Sequence, residues 1–316
     1  GNISRATLAN YVMKSAKVLQ PIINLMRDKQ HEGNVIAMDE TPLQVLKEPG
    51  KAATSKKYMW VSLGGLPGQQ SILYDYDPSR SGQVPLTLLE GFKGYLQTDG
   101  YDGYSPACKK YSLISVGCMD HARRKFKDAF DATPKKKTNK VGKAAVALAL
   151  IKKLYNIERQ IKDLSEKQTN FTTEHIKAYR QQNSVPILND IKAFLDTNVN
   201  KVPKDSLTGI AIHYMLNQWK KLTVYSTCGE LRISNTLAEN AIRPFVVGRK
   251  AWLFADTPQG AHASAVCYGI VESAKLNNLE PYQYLHDLLT KLPYAETVEQ
   301  IDALLPWNIS NSDQLA

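Results

Sequence analysis

Three β-rich runs lie within 45 consecutive residues, and this crowding constrains the fold more than any other feature of the chain. They are "NVIAMDETPLQVL" (34–46), "KYMWVSLGGL" (57–66) and "SILYDYDP" (71–78), separated only by short stretches with Gly and Pro. Gaps so short leave no room for a crossover helix, so the runs predict three strands joined as antiparallel hairpins. Ahead of them, residues 4–29 carry apolar side chains at helical spacing with Pro21 inside, which predicts two helices or one kinked helix.

After residue 78 the texture alternates. "GQVPLTLLEGF" (82–92) predicts a helix, and "GYLQTDGYDGYS" (94–105) a short strand ending at a Gly-rich turn with Asp99 at its tip. "YSLISVGCMD" (111–120) is another β-branched run, and "HARRKFKDAFDA" after it is helical. Three strands followed by alternating helices and strands predict an α/β fold with a mixed sheet.

From 133 to about 228 the β character vanishes. A basic linker, "TPKKKTNKVGK", leads into helical segments near 142–166, 172–197 and 206–224, with breaks expected at Pro186 and Pro203. This reads as an all-helical insertion. Beyond it come "RISNTLAENAIRPFVVGRKAWLF", a small-residue helix (260–278), another helix (281–292) and the tail "TVEQIDALLPWN". The expected partition is an N-terminal helical segment (1–32), a core in two parts (33–132 and 229–293), the insertion (133–228) and a C-terminal tail (294–316).

A hydrophobic content of 43% over 316 residues is enough for a substantial core. The longest apolar runs, such as "AAVALALI" (144–151), fall short of the roughly 18 residues of a membrane span. No signal peptide is visible, and a start without methionine that enters almost at once into helical sequence reads as a fragment of a longer protein. Cys108, Cys118, Cys228 and Cys267 form no regular framework, which suits reduced thiols in the cytoplasm. "CMDH" places Cys118 and His121 three apart, and the lack of a second pair at ligand spacing argues against zinc. A net charge of +10 favours a polyanionic partner.

Three carboxylates stand out. Asp39 interrupts an apolar strand, where an uncompensated carboxylate costs several kcal/mol, so it is either a satisfied structural residue or a functional one. Its neighbour Glu40 points to the opposite face of the strand. Asp99 precedes Gly100, and by itself reads as a turn former. Glu239 sits in "AENAIRP" four residues before Arg243, the spacing of an ordinary helical ion pair. On that helix Leu237, Ala238, Ala241, Ile242 and Phe245 form the apolar stripe, leaving Glu239 and Arg243 on the other side.

Topology changes these readings. In a sheet of order 3-2-1-4-5 the first and fourth strands are neighbours, which brings Asp39 and Asp99 to the same region, where two carboxylates repel unless cations separate them. Two Mg²⁺ ions roughly 3.5–4 Å apart, held by such carboxylates, are the requirement of two-metal phosphoryl transfer, and Glu239 supplies a third ligand. Asp99 follows Asp39 by 60 residues and Glu239 follows Asp99 by 140, a gap that only an inserted subdomain can fill.

"MDETPLQVL", "LQTDGYDGY", "GCMDHARRKF", "NTLAENAIRPFVVGRKAWLF" and "LLTKLP…IDALLPWN" resemble, in order and over nearly the whole chain, the successive motifs of the bacterial insertion sequence 66 family of transposases. The resemblance implies a ribonuclease-H-like mixed five-stranded sheet flanked by helices, with the helical insertion before the catalytic Glu. It makes Asp39, Asp99 and Glu239 the metal-binding catalytic triad of a DDE transposase, holding two Mg²⁺ ions with Mn²⁺ as substitute. Its implied partners are double-stranded DNA at transposon ends and target, further copies of the chain on that DNA, and companion proteins of the same element. The implied location is the bacterial cytoplasm, at the nucleoid, with no membrane.

The family reading also puts His121 and Arg124 near the scissile phosphate, Arg being suited to bidentate phosphate binding. Arg123 and Lys125 read as a basic solvated face. Arg243, Arg249 and Lys250 flank Glu239 as DNA backbone contacts, although Pro244 is expected to kink or end the helix between them. "PKKKTNK" (134–140) reads as a soluble linker, Trp252 as a core residue, and His213, His262 and His286 as packed or surface residues. Two departures are visible: Met119 and Asp120 stand where relatives read Trp-Ala, and the upstream DNA-binding segments of relatives are absent. The rival functional readings are a ribonuclease-H-like nuclease without strand transfer and a non-catalytic DNA-binding remnant of a mobile element.

Overall fold

The computed structural model describes residues 3–132 and 142–309. In chain order the elements are α1 (Arg5–Glu32), β1 (Val35–Leu43), β2 (Lys57–Leu66), β3 (Gln69–Asp77), α2 (Gln83–Leu88), β4 (Tyr95–Gln97), α3 (Ser105–Tyr111), β5 (Ile114–Val116) and α4 (Met119–Asp131). Then follow α5 (Lys143–Lys167), α6 (Thr173–Asn198), α7 (Leu207–Thr223), α8 (Thr236–Trp252), α9 (Pro258–Leu276), α10 (Pro281–Lys291) and α11 (Val298–Asp302). The basic run 134–140 lies outside the described residues.

The strands form one mixed sheet of order β3-β2-β1-β4-β5, the ribonuclease-H-like arrangement expected. β1, β2 and β3 are an antiparallel meander. Ile114 donates to Gly94 and Thr98 to Val116, a ladder that advances in the same direction along β4 and β5 and is therefore parallel.

The chain divides into two compact units: Gly1–Leu96 with Asp102–Ile114 and Thr236–Ala316, and Gln97–Tyr101 with Ser115–Asn235. In the first unit the sheet is buried on both faces. Leu43, Met59, Val61, Leu63, Ile72 and Tyr74 pack against Ala241, Ile242 and Phe245 of α8 and Ala261 and Ala265 of α9. On the other face Gln30 of α1 donates to the Ser62 and Ser71 carbonyls, and Arg27 binds both oxygens of Asp75 at 2.7 Å. The edge strand β3 is closed by α9. Ser273 accepts from Ile72 N–H and donates to Ile72 C=O, both at 2.9 Å, which removes a template for pairing with another chain.

The second unit is helical apart from the strand ends. Phe126, Ile151, Leu154, Leu188, Leu195, Ile212 and Met215 are buried in it. Among its described residues the deeply buried charge is Arg180 on α6, whose guanidinium meets Glu158 at 2.7 Å and donates to the carbonyls of Tyr225 and Cys228. With those partners the cost of burying the cation is offset.

Several expectations from local sequence differ from what is found. α6 runs through Pro186, where a break is expected, while α1 and α8 continue past Pro21 and Pro244 as single helices, one of the two readings open for each, and the break expected at Pro203 falls between α6 and α7. A proline inside a helix costs about 3 kcal/mol, and in each case buried residues on both sides of it hold the helix in place: Leu19 and Ile22, Ser184 and Leu188, Ile242 and Phe245. Leu237, expected on the buried stripe of α8, is 37% exposed, while Ala238, Ala241, Ile242 and Phe245 are buried. The helix α3, from "SPACKKY", lies in a stretch where the turn chemistry masked it. Among the described residues no helix is long and apolar enough to cross a membrane, and no disulfide joins the four cysteines.

Candidate functional site

In the first unit the site is built on β1 and α8. Asp39 stands opposite Val61 of β2, and Val61 opposite Tyr74 of β3, so the three side chains share one face of the sheet. Val61 and Tyr74 belong to the cluster that packs on α8, so Asp39 points to the face that α8 covers. It is half-buried, and its Oδ1 accepts the Glu40 backbone N–H at 2.8 Å. Glu40 turns to the opposite face. Its side chain is 1% exposed, takes Arg80 Nε at 2.8 Å and accepts from the Tyr104 hydroxyl, a structural carboxylate with its charge matched.

Glu239 is half-buried in the first turn of α8, where the helix dipole favours a negative charge. Arg243 is exposed one turn further on. Because α8 continues past Pro244, Arg249 and Lys250 lie in its last turn, and Lys250 is exposed. Arg249 is half-buried and donates to the Thr41 hydroxyl at 2.9 Å, two residues along β1 from Asp39 and on the same face. Burial holds its guanidinium below the usual arginine range. Trp252, read as a core residue, is partly buried with its ring 5.4 Å from Phe245.

In the second unit Asp99 follows β4 and is half-buried. Its Oδ1 accepts the Tyr101 N–H at 2.8 Å, and its carbonyl accepts from the Tyr214 hydroxyl. Gly100 has φ 95°, a conformation open to glycine, and a Cβ there would meet Gln218 Oε1 at 3.2 Å. Burial, with Cys118 and Asp99 nearby, pushes the Tyr214 phenol up to about 12.

His121 and Arg124 lie in the first turns of α4, which begins directly after β5. His121 is half-buried, and one of its ring nitrogens lies within 4.8 Å of Cys118 Sγ. Arg123 and Arg124 are exposed, whereas Lys125 lies 4.7 Å from the Tyr214 ring centroid, a cation–π contact in place of a solvated position. Asp120 accepts from the Tyr155 hydroxyl at 2.6 Å.

Residues 1–263 match the Transposase IS66 family, and residues 270–307 match the IS66 C-terminal element. The chain belongs to the IS66 transposase family. Its curated relatives include the uncharacterized proteins y4hP, 29% identical over 97% of this chain, and y4jD, 27% identical over 97%, both from Sinorhizobium fredii (strain NBRC 101917 / NGR234). The chain covers 56% and 60% of their respective lengths.

Thr41, Tyr74 and Tyr214 were not singled out in the sequence of this IS66 member. Thr41 carries a signal in retrospect, since it sits two residues from Asp39 on the same strand face. Tyr74 and Tyr214 carry none, because their partners Ala241 and Asp99 lie 167 and 115 residues away.

Proposed function

We propose that this chain is the catalytic part of a DDE transposase that cleaves the phosphodiester at a transposon end and joins the freed 3′ end to target DNA. The observation that carries this reading is Asp39, a half-buried carboxylate at the centre of an apolar sheet, on the face covered by the helix that bears Glu239. A family of transposases gives such a carboxylate a use that packing does not.

Asp39, Asp99 and Glu239 offer hard carboxylate oxygens, the donor type that suits Mg²⁺ or Mn²⁺. Two such ions, when bound, would activate the attacking oxygen and stabilise the leaving one. The chain's own residues supply position. The β1 ladder and the Glu40 N–H orient Asp39, the glycine turn orients Asp99, and α8 orients Glu239 from its first turn. His121 and Arg124, at the start of α4, are assigned to the scissile phosphate, and Arg243, Arg249 and Lys250 to the DNA backbone. The chain would act on DNA in the bacterial cytoplasm, at the nucleoid, with further copies of the chain and companion proteins of the element as its expected partners.

The test uses Asp39→Asn and Glu239→Gln. Each is expected to abolish Mn²⁺ binding measured by calorimetry and the joining of tagged ends to a target plasmid. Unchanged metal binding in both variants would mark a non-catalytic DNA-binding remnant. Metal-dependent cleavage by the unaltered chain without joined products would mark a nuclease.

A further inference from the structure

A groove of about 420 Å³ runs between the β1–β2 loop and the C-terminal end of α8, lined among others by Gln44, Thr54, Ser55, Lys56, Arg249 and Leu253. Its walls are fixed by backbone bonding. Leu46 N–H donates to Ala255 C=O and Ala255 N–H to Gln44 C=O, both at 3.0 Å, and Lys47 N–H donates to Asp256 C=O at 2.9 Å. Lys57, fully buried at the start of β2, donates its ammonium protons to the carbonyls of Val45 and Ala52 at 2.9 and 2.8 Å. The loop is therefore held from both ends before any ligand arrives.

The chemistry of the lining is one-sided. It holds two cations, two hydroxyls and an amide, and among the described residues no carboxylate lines it. The neighbouring cations are engaged elsewhere: Lys47 with Asp256, and Lys51 with the Pro78 carbonyl. Arg249 donates to Thr41 Oγ1, a neutral acceptor, through one of its five N–H groups. A half-buried guanidinium satisfied by a hydroxyl carries an uncompensated desolvation cost that an incoming anion would remove. Leu253 adds an apolar wall. It is 62% exposed and held at φ 67°, a left-handed conformation that a leucine rarely adopts. A free inorganic anion has no use for that wall, whereas the sugar of a nucleotide does.

Position narrows the ligand further. Arg249 is ten residues from Glu239 on one continuous helix, about 15 Å at 1.5 Å per residue. A phosphate gripped by Arg249 is therefore a different one from any phosphate held at Glu239, since the separation far exceeds the reach of one phosphate group. We propose that the groove seats a backbone phosphate of DNA other than the scissile one, with Arg249 gripping the phosphate, Lys56 adding charge and Leu253 lying against the sugar. This deepens the transposase reading and rests on it for the identity of the nucleic acid.

The experiment measures binding of the 316-residue chain to short duplexes of two unrelated sequences, by fluorescence anisotropy without divalent metal over a range of salt. R249A is expected to weaken both duplexes about tenfold and to reduce the slope of log affinity against log salt by about 1. R249K should recover the slope but not the full affinity, because lysine cannot bind two phosphate oxygens in a fixed fork. K56A, an exposed loop substitution, should reduce the slope with an unchanged melting temperature, which covers the case in which R249A fails to fold. Unchanged affinity and slope in folded R249A and in K56A overturn the proposal. So does displacement of DNA from the groove by millimolar inorganic phosphate with no dependence on Leu253→Ser, which would identify a free-anion site. Loss of Mn²⁺ binding in Asp39→Asn is read separately: if that loss is absent while the R249A effect is present, the groove stands and the catalytic reading falls.

Discussion

Tyr74 of β3 donates its hydroxyl proton to the carbonyl of Ala241 on α8, three residues before Pro244. Pro244 has no N–H, so the helix loses one bond at Asn240, and the adjoining turn is where α8 is weakest. The tyrosine ties that turn to the sheet, 6.2 Å from the Phe245 ring that anchors the same segment.

Tyr74→Phe should therefore cost about 1 kcal/mol, a fall of roughly 2 °C in melting temperature, because Ala241 C=O keeps its helical donor and loses only the second. Thermal unfolding followed by circular dichroism checks this. A loosened turn should also weaken Mn²⁺ binding by a few-fold through Glu239, whereas a tyrosine that merely fills space would leave metal affinity unchanged in the phenylalanine variant.

Gly100→Ala should be more damaging than an exposed glycine substitution. Its φ of 95° and the 3.2 Å approach to Gln218 Oε1 both oppose a side chain. A loss of about 1–2 kcal/mol follows from the backbone conformation alone. Because Asp99 is the adjacent residue, Mn²⁺ affinity should fall at temperatures where the variant is still folded. A variant with native stability and native metal affinity would show that the turn is dispensable.

Alkaline pH should destabilise the chain in a definite window. Burial pushes the phenols of Tyr74, Tyr155, Tyr225 and Tyr284 above the usual tyrosine value of about 10, and the bond to Asp120 adds to the effect at Tyr155. Each folded-state pKa is raised, so the folded state holds more protons than the unfolded one above pH 10. Their contribution is fully present below about pH 10 and is lost as pH rises through the folded values. Denaturant titrations should give unfolding free energies that these groups leave unchanged near neutrality and that decline from about pH 10 upward. Phenolate absorbance that rises near pH 10 for every tyrosine while the chain stays folded would contradict the burial argument.

Much of the architecture is written in local pattern. The runs read at 34–46, 57–66 and 71–78 became β1, β2 and β3, at Val35–Leu43, Lys57–Leu66 and Gln69–Asp77, because β-branched and aromatic residues between turn formers are a short-range signal. The helices after residue 142 were legible from another short-range signal, the loss of β character and the helical patterning of their residues. Pro203 does mark a break, but prolines inside the helices were a poor guide to where a helix ends, since their cost is local while the burial that outweighs it is not. α8 is the clear case: Ile242 and Phe245 hold it across Pro244, and their partners Val61 and Tyr74 lie far back in the chain.

By itself the sequence determined the order of the strands and the long helices, the strand alternation that separates Asp39 from Glu40, and family membership, because each is carried by residue identity at short spacing, whereas the short helix α3 was not legible. Tertiary structure alone decided that Arg249 reaches Thr41, that Ser273 closes the β3 edge, and that residues 44–56 and α8 enclose a basic groove. Those contacts join residues about 200 positions apart, and no periodicity encodes them. They exist because burying the apolar faces of the sheet against α8 and α9 leaves few placements for the polar groups at the rim, and each must find its partner there.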